Sequence, residues 1–388
     1  MADKLRVLTV FGTRPEAIKM APVVMELARY PEEIESCVVV TAQHRDMLDV
    51  VLNHFSLVPD YDLDIMRPRQ SLTETAIRAL KGLEPIFYQE RPDLVLVHGD
   101  TLTTGIASLG AFFCQLRVGH VEAGLRTGNK WAPFPEEVMR KVADNVCDLH
   151  FCPTSVTREN LAREGIAGRG VYVTGNTAID ALLWTVDSEA PIEAAREKKT
   201  VLVDVHRRES FGEPLERVAR ALAEIADSYE DVHLVVSVHP NPAVKEVLHK
   251  VLQSRARVDL LEPLSYVEWA RLMQRSFLII TDSGGLQEEA PALGVPVLLT
   301  REQTERPEAV AAGTVRIVGT DPVRIVQAVE ELTGCEKAYQ SMVNAQNPYG
   351  DGQAARRTVE GILHYFERRA NPPLPWIAHD EGGENLCP

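Results

Sequence analysis

The chain has 388 residues, of which 45% are hydrophobic and 25% are charged, so it holds enough apolar material for more than one core. At roughly 100–200 residues per domain, this length predicts two domains. The formal net charge of −15 disfavours attraction of the whole surface to nucleic acid or to an anionic membrane. An anionic ligand must therefore be held by a local cluster of positive groups.

Targeting and metal signals are missing from the sequence. No segment approaches the roughly 20 apolar residues of a membrane span, and the N-terminal MADKLRVLTVF lacks the basic-then-apolar order of a signal peptide. We therefore expect a cytoplasmic protein. The six cysteines form no CxxC pair, and no nearby His or Cys completes a zinc set with Cys147 and Cys152. We expect buried free thiols and no metal site.

Short runs rich in Val, Leu and Ile recur along the chain and predict strands that are buried on both faces. In the first half these runs are 6–11, 36–41, 94–98, 117–121, 149–152 and 170–174. In the second half they are 200–205, 232–238, 257–261, 277–281, 295–299 and 314–318. Amphipathic stretches at helical spacing lie between them, for example 17–30, 72–88, 212–229 and 322–332. This alternation predicts an α/β protein with two Rossmann-like parallel sheets.

The stretch 175–199 separates the two sets of strands, so we place a domain boundary near residue 174. Residues 1–174 then form the N-terminal domain and 175–352 the C-terminal domain. Ligands of such sheets bind beyond the carboxyl ends of the strands, so functional residues should follow the strands. The tail 371–388 has three prolines and the polar run HDEGGEN, and we predict that it is poorly ordered.

The first strand leads into FGTRPE, in which Gly12 permits a tight turn and Pro15 suits the first turn of a helix. Arg14 and Lys19 lie close to the start of that helix, where free N–H groups already favour an anion. The alternative is that both are ordinary surface residues.

A second turn of the same kind follows the strand 277–281, where the sequence DSGGLQEE opens a helix. Gly284 and Gly285 would let a phosphate approach the backbone, Ser283 can donate from its hydroxyl, and Glu289 can accept from ribose hydroxyls. The turn matches neither GxxxxGK[ST] nor GxGxxG, which disfavours an ATPase and a nicotinamide enzyme. As a generic glycine-rich turn it would carry no ligand.

Acidic residues stand just after strands of the first half, namely Asp100 in VHGDT, Glu122 in HVEAG, and Glu136 with Glu137 in PFPEE. Carboxylates gathered at strand ends are candidates for proton transfer. Each alone could equally be a helix cap or a surface acid.

Histidines follow strands at His44, His206 and His239. A lone His is commonly structural, and no HxxxH or HxH spacing indicates a metal. His206 with Arg207 and Arg208 forms the strongest positive cluster, and arginine forks suit diphosphate oxygens.

Taken together, these segments resemble the non-hydrolysing UDP-N-acetylglucosamine 2-epimerases from about residue 5 to residue 366. The resemblance is carried by the segments FGTRPEAIKMAP, TAQHR, VHGDT, GHVEAGLRTG, PFPEE, VTGNTAIDAL, HRRES, TDSGGLQEEAPALGVPVL, TERPE and NPYGDG. It implies a GT-B architecture of two Rossmann-like domains facing an interdomain cleft, with a C-terminal helix, residues 353–370, that packs back on the first domain. It also implies a homodimer and no metal or nicotinamide cofactor.

The resemblance further implies the reaction and its residues. UDP-GlcNAc and UDP-ManNAc would interconvert through loss of the C2 proton and of UDP, giving 2-acetamidoglucal. The implied acid/base residues are Asp100, Glu122 and Glu136, with no assignment to a face of the sugar, and His206 assists near the diphosphate. The implied nucleotide-sugar residues are Arg14, Lys19, Trp269, Ser283, Gly284, Gly285, Glu289 and Arg306. A second, allosteric UDP-GlcNAc site is implied at Gln43, Arg69, Gln70, Glu136, Arg207 and His239.

Two departures from the family pattern stand out. Asp204-Val205 replaces the usual Thr-Gly or Thr-Ala before HRRE, and Met139 replaces an Asn. A carboxylate near UDP should weaken binding unless it points away or is paired. Three other functions stay open: a hydrolysing 2-epimerase that releases ManNAc and UDP, a GT-B glycosyltransferase, and a catalytically weak nucleotide-sugar-binding paralogue.

Overall fold

The computed structural model describes residues 3–42, 45–67, 69–188, 199–207 and 210–378. The chain folds as two compact units. The first comprises Met1–Ala181 together with Tyr349–Ile377, and the second contains Leu182–Pro348. Within the described ranges, no helix combines the length and the hydropathy that crossing a membrane requires.

The first unit is built on a seven-stranded parallel sheet in the order β3-β2-β1-β4-β5-β6-β7. Its strands are β1 Leu5–Phe11, β2 Ile34–Val40, β3 Tyr61–Asp62, β4 Leu94–His98, β5 Val118–Val121, β6 Leu149–Cys152 and β7 Val171–Val173. Its helices are α1 Arg14–Leu27, α2 Arg45–His54, α3 Leu72–Glu90, α4 Leu102–Phe113, α5 Glu136–Val146, α6 Ser155–Arg163, α7 Thr177–Asp187 and α15 Ala354–Tyr365, α7 extending past the division between the units.

The second unit has a six-stranded parallel sheet in the order β10-β9-β8-β11-β12-β13. Its strands are β8 Lys199–Asp204, β9 Val232–Ser237, β10 Val258–Leu261, β11 Leu278–Thr281, β12 Val297–Leu299 and β13 Val315–Ile317. Its helices are α8 Glu213–Ser228, α9 Pro242–Leu252, α10 Tyr266–Arg275, α11 Gly284–Glu289, α12 Pro307–Ala311, α13 Pro322–Gly334 and α14 Glu336–Val343, and a 3₁₀ turn spans Ala290–Leu293.

The strands form because their apolar runs can be buried against helices. Residues of β4 are buried along the whole strand, and so is the centre of β8. Separate cores result, one containing Leu8, Val97 and Phe87 in the first unit and another containing Val203, Leu222 and Ile280 in the second. Burying a side chain of this size stabilises the fold by about 1.5–3 kcal/mol.

The predicted α/β class with two parallel, Rossmann-like sheets is confirmed, because every predicted run forms a strand at the predicted place. β3 was not predicted. It has two residues, Tyr61 and Asp62, which pair with Val39 and Val40 and are not part of an apolar run.

The prediction of a poorly ordered tail is wrong for the residues that the structure describes, up to 378. Trp376 is 9% exposed and packs with Cys152 and Leu161 in the first unit. The backbone N–H of Trp376 donates to the Val173 carbonyl at 2.9 Å, and the Arg357 guanidinium lies 5.6 Å from the centre of the Trp376 ring. Burial of the Trp376 ring holds this segment against the first unit, although the neighbouring residues of the tail are polar. Residues 379–388 lie outside the described ranges.

The cysteines are free where the structure describes them, but the prediction that they are buried is correct only for Cys152. Cys335 is exposed, and Cys37, Cys114 and Cys147 are partly exposed. Cys387 lies outside the described residues.

Candidate active site

Each sheet has one point at which the strand order reverses, and in parallel α/β sheets this is where ligands bind. In the first unit the point lies between β1 and β4, and in the second unit between β8 and β11. The loops and helix starts that follow these four strands carry a group of the predicted site residues, namely Arg14, Asp100, His206, Arg207, Ser283, Gly284 and Gly285.

Glu16 joins the two loops at the reversal point of the first sheet. Its carboxylate is buried and accepts from the backbone N–H groups of Gly12 and Thr13, at 3.0 and 2.8 Å. The other oxygen accepts from the Thr101 hydroxyl at 2.6 Å. Sequence analysis missed this role, although Thr13 followed by Glu16 is a capping-box pattern that could have indicated it.

Glu122 occupies the carboxyl end of β5 in a strained conformation, with φ of 67°. Both carboxylate oxygens accept from Lys19 Nζ at 2.7 Å, and His98 Nε2 lies 2.8 Å from Oε2. Burial by itself raises the pKa of Glu122, but Lys19 and His98 together hold it well below its usual value. Glu122 is therefore an ionised carboxylate at neutral pH.

Arg14 and Lys19 were predicted to bind the same anion, but their surroundings differ. Arg14 is exposed at the first position of α1. Lys19 is partly buried and donates to Glu122. A carboxylate of the chain thus holds the Lys19 ammonium.

Asp100 and Glu136 differ in their partners. Asp100 accepts from the Arg140 guanidinium, which also lies 3.3 Å from Glu137. Glu137 is buried and accepts from the backbone of Thr127 and Gly128, so it orders the loop before α5. Oε2 of Glu136 is buried without a hydrogen-bond partner among the described residues.

The turn that carries Asp100 rests on a buried His–Asp pair that sequence analysis did not assign. His120 Nδ1 lies 2.6 Å from Asp144, and Nε2 lies 2.7 Å from the Gly99 carbonyl. Burial by itself raises the pKa of Asp144, but His120 and Arg126 lower it to about 2. The His120–Asp144 pair holds the Gly99 carbonyl, and with it the neighbouring Asp100, in position.

In the second unit, Asp282 organises the turn after β8. Its carboxylate is fully buried and accepts from the backbone N–H groups of His206 and Arg207, at 3.0 and 2.9 Å, and from the Ser210 hydroxyl at 2.8 Å. Sequence analysis named Asp282 only as part of the glycine-rich turn. Its partners lie more than 70 residues away in the chain, so no local signal could have indicated them.

The His206 side chain lies between an acid and a second imidazole. Nδ1 is 3.0 Å from Asp204 Oδ1, and the ring stacks on His239 with centroids 5.6 Å apart. The hydrogen bond that His206 donates to Asp204 raises the pKa of His206, against the lowering effect of burial. Asp204, one of the two departures from the family pattern, is therefore paired.

Two guanidinium groups lie over the predicted glycine turn. A Cβ atom on Gly284 would be 2.6 Å from Nη1 of Arg306 and 3.1 Å from Nη2 of Arg207. Glu305 lies near both, with Oε1 2.9 Å from Arg306 and 3.4 Å from Arg207. A larger residue at position 284 would therefore require the two guanidinium groups to shift. Arg207 was predicted for the allosteric set, and here it lies beside Arg306.

The other predicted residues of this unit lie on α10 and on or next to α11. Ser283 precedes α11 and makes no side-chain cap hydrogen bond, and a Cβ on Gly285 would meet nothing within 4 Å. Glu289 is the last residue of α11. Burial raises the pKa of Tyr266, and the nearby charge of Glu289 raises it further. Trp269 is half-buried on α10.

The remaining residues of the predicted allosteric set are only partly described. Gln43 lies outside the described residues, as do His44 and Arg208. Arg69 is exposed with φ of 58°, and Oε1 of Gln70 is buried without a hydrogen-bond partner in the described ranges.

Met139, the second departure, packs between α4 and α5. Its sulfur would lie 2.7 Å from a Cβ on Gly105, and its side chain contacts the cluster of Ile65, Leu102 and Ile106. Met139 is thus a packing residue. Among the residues that the structure describes, no three His, Cys, Asp or Glu side chains are grouped as a metal site requires.

Two Rossmann-like units are typical of the GT-B class of α/β proteins. A solved glycosyltransferase shares the fold alone, because it is only 12% identical in sequence. Its TM-score is 0.64, and the match covers 94% of this chain and 99% of that chain. A family model described as UDP-N-acetylglucosamine 2-epimerase matches residues 26–363. The chain belongs to the UDP-N-acetylglucosamine 2-epimerase family.

Individual relatives match over nearly their whole length. The UDP-N-acetylglucosamine 2-epimerase of Bacillus subtilis strain 168 is 52% identical over 373 residues, which cover 95% of this chain and 98% of the relative. The crystal structure of UDP-GlcNAc 2-epimerase from Neisseria meningitidis bound to UDP-GlcNAc is 45% identical, with a TM-score of 0.83 and coverage of 93% of this chain and 100% of that chain.

Proposed function

We propose that this chain is a cytoplasmic, non-hydrolysing 2-epimerase that interconverts UDP-GlcNAc and UDP-ManNAc. Family membership supports the activity, and the solved relative with bound UDP-GlcNAc supports the ligand. The observation that carries the proposal is the set of carboxylates, Asp100, Glu122 and Glu136, that follow the strands of the first unit or open α5.

In the proposed reaction a carboxylate of the first unit removes the proton from C2 of the sugar. The electron pair of that C–H bond forms a C1=C2 double bond, and the bond from C1 to the UDP oxygen breaks with its electrons leaving on UDP. The reverse step joins the UDP oxygen to C1 and delivers a proton to the opposite face of C2. Positioned acid/base groups contribute about 10²–10⁴-fold to such steps.

The carboxylates bring different properties to this chemistry. Glu122 is ionised and engaged by Lys19, and Asp100 is paired with Arg140. Glu136 has a buried oxygen with no hydrogen-bond partner in the part of the chain that the structure describes, so we propose that this oxygen engages the ligand.

We propose that the second unit holds UDP. Arg306 and Arg207 at the Gly284 turn, with Ser283, Gly285 and His206, supply donors that suit the diphosphate, and guanidinium forks bind such oxygens in pairs. Neutralising charge on the leaving group lowers the barrier to its departure. In this proposal Glu289 accepts from the ribose, Trp269 lies beside the uracil, and Arg14 and Lys19 of the first unit contact the nucleotide sugar. No cofactor takes part.

To test this proposal, the purified protein is incubated with UDP-GlcNAc in deuterated water, and NMR follows the configuration at C2 of the sugar and the deuterium incorporated there. We expect UDP-ManNAc with deuterium at C2, formed without any acceptor. Free ManNAc together with UDP would identify a hydrolysing enzyme, dependence on an acceptor would identify a glycosyltransferase, and unlabelled, unchanged substrate would identify a binding paralogue.

We also propose allosteric activation by UDP-GlcNAc through Gln43, Arg69, Gln70, Glu136, Arg207 and His239. An activator must bind one state of the protein better than another, so trace UDP-GlcNAc should shorten a lag that starts from pure UDP-ManNAc. A progress curve with no lag and no stimulation would rule this out.

Finally, we propose a homodimer. Tyr88 near the end of α3 and Phe112 and Phe113 at the end of α4 are 60%, 59% and 64% exposed, and the rings of Phe112 and Phe113 have centroids 6.3 Å apart. Exposed apolar patches of this kind mark protein interfaces. Light scattering should give twice the chain mass, and a monomer at micromolar concentration would refute the proposal.

A further inference from the structure

The structure gives the carboxylate of Asp204 one clear contact. Oδ1 lies 3.0 Å from His206 Nδ1, and the side chain of Asp204 is 16% exposed. A carboxylate can only accept, so Nδ1 must donate. The ring is held from a second side by His239, which stacks on it at an interplanar angle of 18°.

We propose that Asp204 is a positioning residue that keeps His206 in the imidazolium form and aims its Nε2–H at a diphosphate oxygen. The inference rests on the proposed function, which gives His206 its place near the diphosphate. Asp204 itself need not touch the ligand.

The chemistry follows from which ring nitrogen carries a proton. With Nδ1 donating to Asp204, a neutral His206 would have an unprotonated Nε2, which repels a phosphate oxygen. Only the imidazolium donates from both nitrogens. A carboxylate partner stabilises that form, and the raised pKa of His206 agrees with this reading. Donation from a charged group makes a stronger bond than donation from a neutral one.

The surroundings of His206 contain charges of both signs. Asp204 and Asp282 favour the imidazolium, burial and Arg207 oppose it, and His239 is the other titratable ring. Arg208 and Glu209 follow in the chain but lie outside the described residues. Asp282 is already engaged by three donors, including the backbone N–H groups of His206 and Arg207, which leaves Asp204 as the acid that contacts the ring.

The test compares wild type, D204N and D204E in the full-length protein. NMR of the imidazole resonances measures the titration of His206 without ligand, and calorimetry measures UDP affinity from pH 5.5 to 8.5. In D204N we expect His206 to titrate at lower pH. Its UDP affinity should equal that of wild type at pH 5.5 and be about tenfold weaker at pH 8, and the loss should appear in KM more than in kcat. D204E keeps a carboxylate and should recover most of the affinity.

A matched control is available in the same unit. His233 Nε2 lies 2.8 Å from Asp259, so D259N removes the acid of another Asp–His pair. We expect D259N to leave the pH profile of UDP binding unchanged. Thermal unfolding of each variant separates a folding defect from the predicted effect.

Each result decides one question. A loss of affinity that is the same at every pH, or an unmoved His206 titration, would overturn the role of Asp204 while leaving the epimerase proposal intact. A wild-type protein that binds no UDP would overturn the proposed function itself.

Discussion

At the scale of single residues, the geometry of the candidate site depends on a few buried charged side chains, each held by specific hydrogen-bond or ion-pair partners. Glu122 is the clearest case, because its strained backbone and its contacts with Lys19 and His98 all fix one carboxylate. Strain of this kind costs about 1–3 kcal/mol and survives where function needs the geometry.

The substitution E122Q tests whether that carboxylate takes part in the reaction. Gln keeps the shape but removes the charge that engages Lys19. We expect epimerisation, measured by NMR, to slow by about 10²–10⁴-fold while UDP affinity changes little.

The control for this substitution is E35Q, because Glu35 is also an ion-paired glutamate of the first sheet, held by Arg6 at 3.0 Å on an exposed part of β2. E35Q should leave the rate unchanged. Equal rates for E122Q and wild type would remove Glu122 from the acid/base set.

At the scale of secondary structure elements, α15 is held in the first unit by a side chain from another helix. Asp180 of α7 accepts from the backbone N–H groups of Ala354 and Ala355, at 3.1 and 2.8 Å. Gln353, which precedes α15, makes no side-chain cap hydrogen bond. Asp180 therefore supplies the cap that the local sequence lacks.

This cap should make stability depend on pH. Burial raises the pKa of Asp180 from its ordinary 3.8 to about 7, although the N–H groups oppose the shift. The native state therefore binds the proton more tightly than the unfolded state, so the stabilisation present below about pH 4 is lost as the pH rises towards 7. We expect the free energy of unfolding of wild type to fall relative to that of D180N between pH 5 and 8, by about 2 kcal/mol.

Urea unfolding at both pH values measures this difference. D321N provides the comparison, since Asp321 is an exposed cap of α13 that accepts from Val323 at 3.0 Å. Its effect on stability should be the same at pH 5 and pH 8. If D180N and wild type lose stability in parallel, the raised pKa of Asp180 is not what drives the pH dependence.

Trp376 gives a second prediction at this scale. Because its ring packs against Cys152 and Leu161, W376A should lower the free energy of unfolding by about 2–4 kcal/mol. L374A changes a side chain that is 84% exposed two positions earlier and should have an effect within about 0.5 kcal/mol. Thermal or urea unfolding distinguishes them, and similar curves for the two variants would show that the Trp376 contacts contribute little.

At the scale of the whole molecule, two electrostatic effects oppose each other. The net charge of −15 should repel UDP, whereas Arg306, Arg207 and His206 of the proposed site should attract it locally. At physiological salt the screening length is about 8 Å, so distant charges matter less than groups in contact. Local attraction should therefore decide the sign of the salt effect.

We expect UDP affinity, measured by calorimetry, to weaken about three- to tenfold from 0.05 to 0.5 M NaCl. R306A should bind UDP more weakly and show a smaller salt dependence, because one local charge is gone. R316A, which removes an arginine paired with Glu331 at 2.9 Å, should retain the wild-type salt dependence. Affinity that improves with salt would mean that the net charge dominates.

Local sequence patterns predicted most of the strands and many of the candidate site residues of this protein. Apolar runs predicted the strands, and the acids and glycines that follow them predicted where the candidate residues stand, because the carboxyl ends of parallel strands share one edge of a sheet. The sequence resemblance to the epimerase family was visible in the same segments, and the family match confirms it.

The sequence by itself thus determined the two parallel sheets, the family, and which residue types follow each strand, since these depend on hydrophobic periodicity and on short segments. Tertiary structure alone decided the pairings: Glu16 with Thr101, His120 with Asp144, Asp282 with His206, and Trp376 with its pocket. These contacts join residues far apart in the chain. A buried charge or ring is stable only beside a partner that compensates its burial, and folding chooses that partner.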